Sequence, residues 1–255
     1  MKKRVVTALG IILVVALPLA FGGWLLELLA LFIVGAGAYE WAHICPDFKK
    51  WPKAIVPIMV LAVLLTRFVS QPRLYIVLTC TTVFFWILTI FAEDFEISDA
   101  FYCLTYFLIF SLIYRTIGFF SANHLYLITI VFATYGSDTG AWFIGRKFGK
   151  HKMNPRLSPK KSWEGLAGGI VFGAVLSFVI SLLYWENLDL RILLPLCIFC
   201  PGIAEIGDLA FSAIKRYFHV KDFSNLLPGH GGVLDRVDSL LMNMLFCGIL
   251  ISIFL

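Results

Sequence analysis

Long runs of apolar residues, separated by short polar breaks, fill the chain from one end to the other. A helix needs roughly 20 apolar residues to cross the hydrocarbon core of a bilayer, and the runs are close to that length. They predict nine spans, at residues 5–21, 24–42, 54–70, 74–92, 100–119, 124–145, 165–185, 191–214 and 236–255. The predicted fold class is therefore an all-α polytopic integral membrane protein with about nine transmembrane helices.

The composition supports a membrane protein. Of the 255 residues, 60% are apolar and only 15% are charged, whereas a soluble domain carries about 25% charged residues. The abundance of large apolar side chains also excludes intrinsic disorder. The first run follows Met1–Arg4 and has the length of a signal peptide, but a second run begins directly after Gly22-Gly23. A retained hairpin of two helices is therefore favoured over a cleaved signal.

The distribution of positive charge predicts the orientation. Seventeen of the 21 Lys and Arg residues fall on the side of the N-terminus when nine spans are counted. Positive residues in short loops mark the cytoplasmic side, so the N-terminus and both large basic loops are expected there. Because the net charge of +5 reflects this loop placement, no nucleic-acid partner is expected.

The polar residues divide the chain into two parts of different character. Residues 1–100 are predicted to form N-terminal transmembrane hairpins, and residues 101–255 a C-terminal catalytic transmembrane domain. The second part carries the cytoplasmic loops 146–164 and 215–235. Small residues at four-residue spacing let helix backbones approach closely. This spacing in the seventh span predicts packing against a neighbouring helix at Gly165, Gly169 and Gly173.

Acidic side chains inside apolar spans are costly to bury, and each is a candidate for function. Asp138 lies in the inner half of the sixth span among small and polar residues, and Glu205 and Asp208 lie in the eighth. These three acids are expected to converge in the cytoplasmic half of the membrane. Glu27 and Glu40 fall near the ends of the second span. They are interpreted as side chains that reach toward a membrane interface.

The segment from Ser212 to Asp238 has the richest polar pattern in the chain. Its Pro228–Gly232 stretch predicts a loop whose glycines let backbone amides turn toward an anion, beside the positive end of a helix. The nearby cations are Lys215, Arg216 and Lys221. The nearby acids are Asp208, Asp222, Asp235 and Asp238. Acids that hold a cation and bases that hold phosphates suit a magnesium triphosphate, and an ordinary charged turn is the alternative.

A second basic loop, residues 146–164, faces the same side and contains seven cations. Such a cluster attracts anionic lipid headgroups or a nucleotide through its field. The alternative is that these cations act only as a topology signal.

The 28 residues from Ser212 to Ser239 resemble the signature of the phosphatidate cytidylyltransferase family. This signature runs Ser-x-x-Lys-Arg, then Lys-Asp, then Pro-x-His-Gly-Gly-x-x-Asp-Arg-x-Asp, and every position is filled. The resemblance extends upstream through Asp138-Thr139, Gly145-Arg146, Ser158-Pro159-Lys160-Lys161, Glu164-Gly165 and Gly207-Asp208. Trp142 replaces the family's usual Tyr, and Ser162 its usual Thr.

The resemblance implies transfer of a cytidylyl group from CTP to phosphatidate, which gives CDP-diacylglycerol and pyrophosphate for phospholipid biosynthesis. It implies Mg²⁺ as the cofactor and leaves a second cation open. The expected partners are CTP, phosphatidate in the bilayer, membrane lipids and a second copy of the chain in a homodimer. The expected location is a bacterial inner membrane, with the active site facing the cytoplasm.

Phosphatidate is already ionised at neutral pH, so the expected mechanism relies on charge neutralisation and alignment rather than on a strong base. The predicted catalytic residues are Asp208, Lys215, Arg216, Asp235 and Asp238, of which Asp208, Asp235 and Asp238 are the predicted metal ligands. The predicted substrate-binding residues are Asp138, Ser158, Lys160, Lys161, Ser212, Lys221, Asp222, Gly229, His230, Gly231, Gly232 and Arg236. The loop amides are expected to receive triphosphate oxygens, and His230 to hydrogen-bond a phosphate rather than act as a base.

Two other functions compete with this interpretation. A polytopic protein with acids in its spans could carry cations or protons, although a transporter has no need of the Pro-x-His-Gly-Gly loop. A sister CTP transferase that acts on another lipid phosphate or a lipid alcohol would share the same residues.

Overall fold

The computed structural model describes residues 2–255, with the side chains of residues 10–255 except 12 and 185. In this part of the chain nine α-helices follow one another. They are α1 (Lys2–Phe21), α2 (Gly23–His43), α3 (Ile55–Phe68), α4 (Gln71–Phe91), α5 (Ile97–Ala122), α6 (His124–Phe148), α7 (Trp163–Ser181), α8 (Leu190–Tyr217) and α9 (Leu234–Phe254). An antiparallel hairpin of β1 (Lys152–Asn154) and β2 (Ser158–Ser162) connects α6 to α7.

Each of the nine predicted spans coincides with one of these helices, which confirms an all-α polytopic membrane protein. Among the described residues, six helices are long and apolar enough to cross a bilayer: α2, α4, α5, α7, α8 and α9. Helix α3 has 14 residues, and at about 1.5 Å per residue it falls short of a bilayer core of about 30 Å. Helix α6 carries charged residues along its second half. Nine complete crossings therefore remain a prediction.

The two predicted loops are shorter in the structure than in the sequence interpretation. Helix α6 continues to Phe148 and α7 begins at Trp163, so the hairpin fills most of the first loop. The start of α7 is set by Ser162, whose side chain accepts a hydrogen bond of 3.2 Å from the Gly165 amide. A serine in this position satisfies an N–H group that lacks a partner within the helix. The second loop lies between Tyr217 and Leu234.

Close backbone contact joins α6 and α7, as the glycine spacing predicts. Gly165, Gly169 and Gly173 are all buried. A Cβ atom added to Gly169 would lie 2.8 Å from the Ser137 carbonyl oxygen, and one added to Gly173 would lie 2.7 Å from that of Ala133. Small residues therefore bring α7 against the helix that carries Asp138.

Hydrogen bonds attach α8 and α9 to the same helix α6. The Ser137 hydroxyl donates to the Pro201 carbonyl of α8 at 2.9 Å. The Asn243 amide of α9 donates to the Thr134 hydroxyl at 2.7 Å. All four residues are buried, where an unpaired polar group would be costly. Helix α6 is thus the centre of a bundle formed by α6, α7, α8 and α9.

The N-terminal half packs around α5. Helices α2 and α3 cover it, and buried aromatic residues such as Trp41, Tyr106 and Phe110 fill the space between them. Helix α4 is peripheral, since Thr81 and Phe85 are its only buried residues. Helix α2 also touches the C-terminal half, and this contact matters for the site described next.

We predict that Gly173→Ala lowers the stability of the protein by about 1–3 kcal/mol, because the added methyl group overpacks the α6–α7 contact. The measurement is thermal unfolding in detergent. Gly35→Ala is the matched control, since a Cβ atom at this helical position meets no atom within 4 Å. Equal melting temperatures for the two variants would contradict the proposed role of the glycine spacing.

Candidate active site

A polar cavity of about 750 Å³ lies between α1, α6, α8, α9 and the loop that precedes α9. Its polar lining consists of residues that are up to 101 positions apart in the sequence but meet here: Asp138, Asp208, Lys215, Asp222, His230, Asp235, Arg236, Asp238 and Ser239. The structure thus brings together most of the acids predicted for the site. We call this space the loop cavity.

A second cavity of about 560 Å³ lies beside the β1–β2 hairpin. Its polar lining comes from α6, the hairpin and α8: Asp138, Arg146, Lys152, Ser158, Lys160, Lys161, Ser162 and Glu205. We call this space the hairpin cavity. Because Asp138 lines both cavities, they meet at this side chain.

Lys161 connects the hairpin to two acids of α8. Its ammonium nitrogen lies 2.7 Å from Glu205 Oε2 and 2.5 Å from Asp208 Oδ2. The Glu205 side chain is only 2% exposed, so this contact supplies the counter-charge that a buried carboxylate requires. Burial lowers the pKa of Lys161, but the attraction of Glu205 and Asp208 outweighs it and raises the pKa above its ordinary value of 10.5. Lys161 therefore stays protonated at neutral pH and loses its own charge only in strongly alkaline solution.

Lys215 has the corresponding position between α8 and α9. Its ammonium nitrogen lies 2.7 Å from Asp235 Oδ1 and 3.7 Å from Asp238 Oδ2. The same nitrogen lies 5.4 Å from the centre of the Phe223 ring, within the range of a cation–π interaction. Two lysines thus pair with four carboxylates at this end of the bundle.

Asp235 also closes the loop that precedes its own helix. Its Oδ2 accepts hydrogen bonds from the Phe223 amide at 2.8 Å and the Gly232 amide at 2.9 Å. Both oxygens of this carboxylate are therefore engaged by protein donors, one of them by Lys215.

The glycine loop has a defined backbone conformation. Gly229 and Gly231 have φ angles of 77° and 84°, values that favour glycine. Because the Gly232 amide already binds Asp235, the expected capture of triphosphate oxygens is limited to the other loop amides. The buried Nδ1 of His230 has no hydrogen-bond partner among the described atoms, although the side chain lines the loop cavity. The hydrogen bond expected between His230 and a phosphate oxygen stays a prediction.

The predicted metal ligands share the loop cavity, but they are not assembled into a compact group. Among the described residues, no three acidic, His or Cys side chains are close enough to hold a metal ion together. Asp208 binds Lys161 through Oδ2 alone, and Asp238 accepts the Ser239 amide through Oδ1 at 2.8 Å. Asp208 therefore keeps one oxygen without a described partner, whereas both oxygens of Asp238 have one, the second being Lys215 at 3.7 Å. Carboxylate oxygens are the ligands that Mg²⁺ prefers, so the donor set fits this ion chemically.

Six predicted residues lie outside the lining of both cavities: Ser212, Arg216 and Lys221, and the loop glycines Gly229, Gly231 and Gly232. Arg216 donates to the Val220 carbonyl at 2.8 Å, Lys221 is exposed, and Ser212 is buried within α8. No described hydrogen bond joins any of these three side chains to the acids that pair with Lys161 and Lys215. Their predicted roles in catalysis and binding therefore have no geometric support from the arrangement seen here.

The sequence model of the cytidylyltransferase family matches residues 2–254, nearly the whole described chain. The chain belongs to the cytidylyltransferase family.

Relatives from several bacteria carry the name phosphatidate cytidylyltransferase. The protein of Staphylococcus saprophyticus is 31% identical over 263 residues, which cover 98% of this chain and 99% of the relative. That of Pseudomonas aeruginosa is 34% identical over 258 residues, with shares of 94% and 93%. That of Bacillus subtilis is 39% identical over 140 residues, with shares of 55% and 51%. The predicted family resemblance is confirmed.

One residue of this cytidylyltransferase was misinterpreted from its sequence. Glu40 was expected to reach toward a membrane interface, but its side chain is completely buried against the loop between α8 and α9. Glu27, at the other end of α2, accepts hydrogen bonds from Ser121 at 2.8 Å and Arg67 at 3.3 Å. The sequence indicated a special role for Glu40 only through the position of an acidic residue inside an apolar span. Its partners were not visible because they lie in the other half of the chain.

We predict that Lys161→Gln destabilises the protein by about 3 kcal/mol, because it leaves the buried Glu205 without a counter-charge. The double variant Lys161→Gln/Glu205→Gln should recover much of this loss, since it also removes the unpaired charge. Unfolding in detergent measures both values.

The control for this experiment is Lys160→Gln. Lys160 is exposed, and it forms no ion pair with any described side chain. Its loss should leave the stability unchanged. If Lys161→Gln and the double variant were equally unstable, the ion pair would not be the source of the effect.

Proposed function

We propose that this chain is a phosphatidate cytidylyltransferase, which transfers a cytidylyl group from CTP to phosphatidate and releases pyrophosphate. The observation that carries the proposal is the two-sided lining of the loop cavity. One side consists of apolar residues of α1, namely Ile11, Val15, Ala16 and Leu19. The opposite side consists of Lys215 and the acids. A lipid phosphate needs such a site, with apolar contacts for its chains and charge for its headgroup.

The hairpin cavity suits the other substrate. Its cations Arg146, Lys152 and Lys160 are spread along a polar wall, and the α1 residues do not line it. Separate cations at the rim of a cleft match the charge of a triphosphate. CTP in this cavity and phosphatidate in the loop cavity would meet beside Asp138, where both spaces join.

The reaction needs no strong base. An oxygen of the ionised phosphatidate attacks the α-phosphorus of CTP, a new P–O bond forms, and the bond to the β-phosphate breaks as pyrophosphate leaves. The main barrier is the repulsion between two anions, which fixed positive charges reduce. Lys161 and Lys215 supply such charges on either side of the junction. His230 and the free loop amides orient a phosphate group so that the reacting atoms align.

The acids of the loop cavity would hold the expected Mg²⁺. Asp208 has an available oxygen, and Asp235 and Asp238 belong to the same cavity lining. When bound, the ion supplies additional positive charge to phosphate oxygens. We propose the same site for any second cation. The two lysines hold these carboxylates in place independently of the ion.

The orientation in the membrane is proposed from the distribution of charge, and the oligomeric state from the family. We propose that the hairpin and the glycine loop face the cytoplasm of a bacterial inner membrane, because most cations lie on this side. Water-soluble CTP then reaches the site from the cytoplasm, while phosphatidate enters from the bilayer. A homodimer is proposed from the family resemblance alone.

The decisive measurement is transfer of label from CTP to lipid by the purified protein in detergent with Mg²⁺ and diacyl phosphatidate. We predict that Asp208→Asn reduces this activity by about 100-fold or more, as the loss of a preorganised charged group does in other active sites. Asp189→Asn is the matched control, because Asp189 is also paired with a cation, Arg191, but lies at the start of α8. Transfer of label to an added ether lipid phosphate or polyprenol, without formation of labelled CDP-diacylglycerol from diacyl phosphatidate, would favour the sister transferase. Cation transport without transfer would contradict the proposal altogether.

We predict that Lys160→Gln raises the KM for CTP several-fold more than the KM for phosphatidate, because one cation leaves the hairpin cavity. Lys150→Gln is the control, since its side chain carries the same charge but does not line the cavity. A larger effect on the KM for phosphatidate would instead assign this cavity to the lipid headgroup.

A further inference from the structure

Glu40 of α2 is completely buried against the loop between α8 and α9. Its Oε1 accepts hydrogen bonds from the Ser224 hydroxyl at 2.7 Å and the Val233 amide at 2.8 Å. Its Oε2 accepts a hydrogen bond from the Leu234 amide at 2.8 Å. No ion pair between described side chains includes Glu40. These three donors therefore compensate a buried carboxylate that would otherwise be costly.

This carboxylate caps α9 from a distant part of the chain. The first amides of a helix lack partners within the helix. Val233, the residue before α9, offers no side chain that could cap it. Glu40 supplies the missing acceptor from 193 residues away, at the positive end of the helix dipole.

The same contact explains the second glycine of the Gly231-Gly232 pair. A Cβ atom on Gly232 would lie 2.7 Å from both carboxylate oxygens of Glu40. Glycine is thus required here by the close approach of α2. At Gly231 it is favoured by the φ angle of 84°.

The neighbouring Trp41 holds the other end of the loop. Its ring stacks on Phe223 with 6.4 Å between centroids and an angle of 13°. Phe223 in turn donates its amide to Asp235 and lies under the Lys215 ammonium group. Glu40 and Trp41 are consecutive residues of α2. Glu40 supports the backbone before α9, and Trp41 supports the Phe223 ring, which contacts Lys215.

We infer that Glu40 is a positioning residue, which holds the segment 224–235 so that Asp235, Lys215 and His230 face the loop cavity together. It touches neither cavity itself, and it acts through the Val233 and Leu234 amides. The effect on catalysis rests on the proposed function. The effect on the loop backbone does not.

The test is Glu40→Gln, which keeps the shape of the side chain but turns one acceptor into a donor that faces a backbone N–H group. Hydrogen exchange of residues 224–236 should become roughly tenfold faster, the size expected from losing one hydrogen bond to a charged group. Exchange of α6 and α7 should not change. The kcat for transfer should fall by a similar factor or more, with a smaller change in either KM.

Glu27→Gln is the matched control, because it alters the same residue type in the same helix at the opposite end. It should leave both the exchange of residues 224–236 and kcat at the wild-type values. Glu40→Asp keeps the charge on a shorter side chain, and it should restore part of the exchange protection and part of kcat. It also keeps the experiment informative if Glu40→Gln does not fold.

The outcomes separate the two proposals. A wild-type protein that transfers no label disproves the proposed function, while the exchange measurement still tests the contact made by Glu40. Unchanged exchange of residues 224–236 in Glu40→Gln overturns the positioning role. Faster exchange with wild-type kcat overturns it as well, because the contact would then be structural only.

Discussion

The region of the two cavities depends on the compensation of buried negative charge. Glu205, Asp208, Asp235 and Asp238 come from two helices that are only partly accessible to water, and each needs a positive partner. Lys161 from the hairpin and Lys215 from α8 serve two carboxylates each. An ammonium group has three N–H donors. Each lysine therefore retains a donor while it holds its two acids, and in the proposed function this donor would bind a phosphate oxygen.

The helix packing gives these pairs their geometry. The glycine contact holds α7 against α6, and β2 with Lys161 ends directly before α7. The bonds from Ser137 to Pro201 and from Asn243 to Thr134 fix α8 and α9 on the other side of α6. A shift of any of these helices would separate a lysine from its acids. The geometry of the charged site therefore depends on the packing of the helices.

Apolar run length was sufficient to locate all nine helices within a few residues, because membrane helices carry a strong and local signal. The hairpin was missed, since residues 152–162 are polar and lack the alternation that marks a strand. Most of the acids assigned to the site do share one cavity. The lysine pairings and the position of Glu40 could not be predicted, because they depend on contacts between residues from 20 to 193 positions apart.

The glycine loop shows why a motif alone misassigns donors. A glycine-rich loop before a helix suggests free amides for a phosphate, yet three successive amides, from Gly232 to Leu234, already bind Asp235 and Glu40. The positive end of α9 is therefore neutralised from inside the protein. His230 and Lys215 line the loop cavity instead, beside a backbone that is held by carboxylates. Gly231 and Gly232 let Asp235 and Glu40 approach the chain closely, so in the proposed function the phosphate is bound mainly by side chains rather than by these amides.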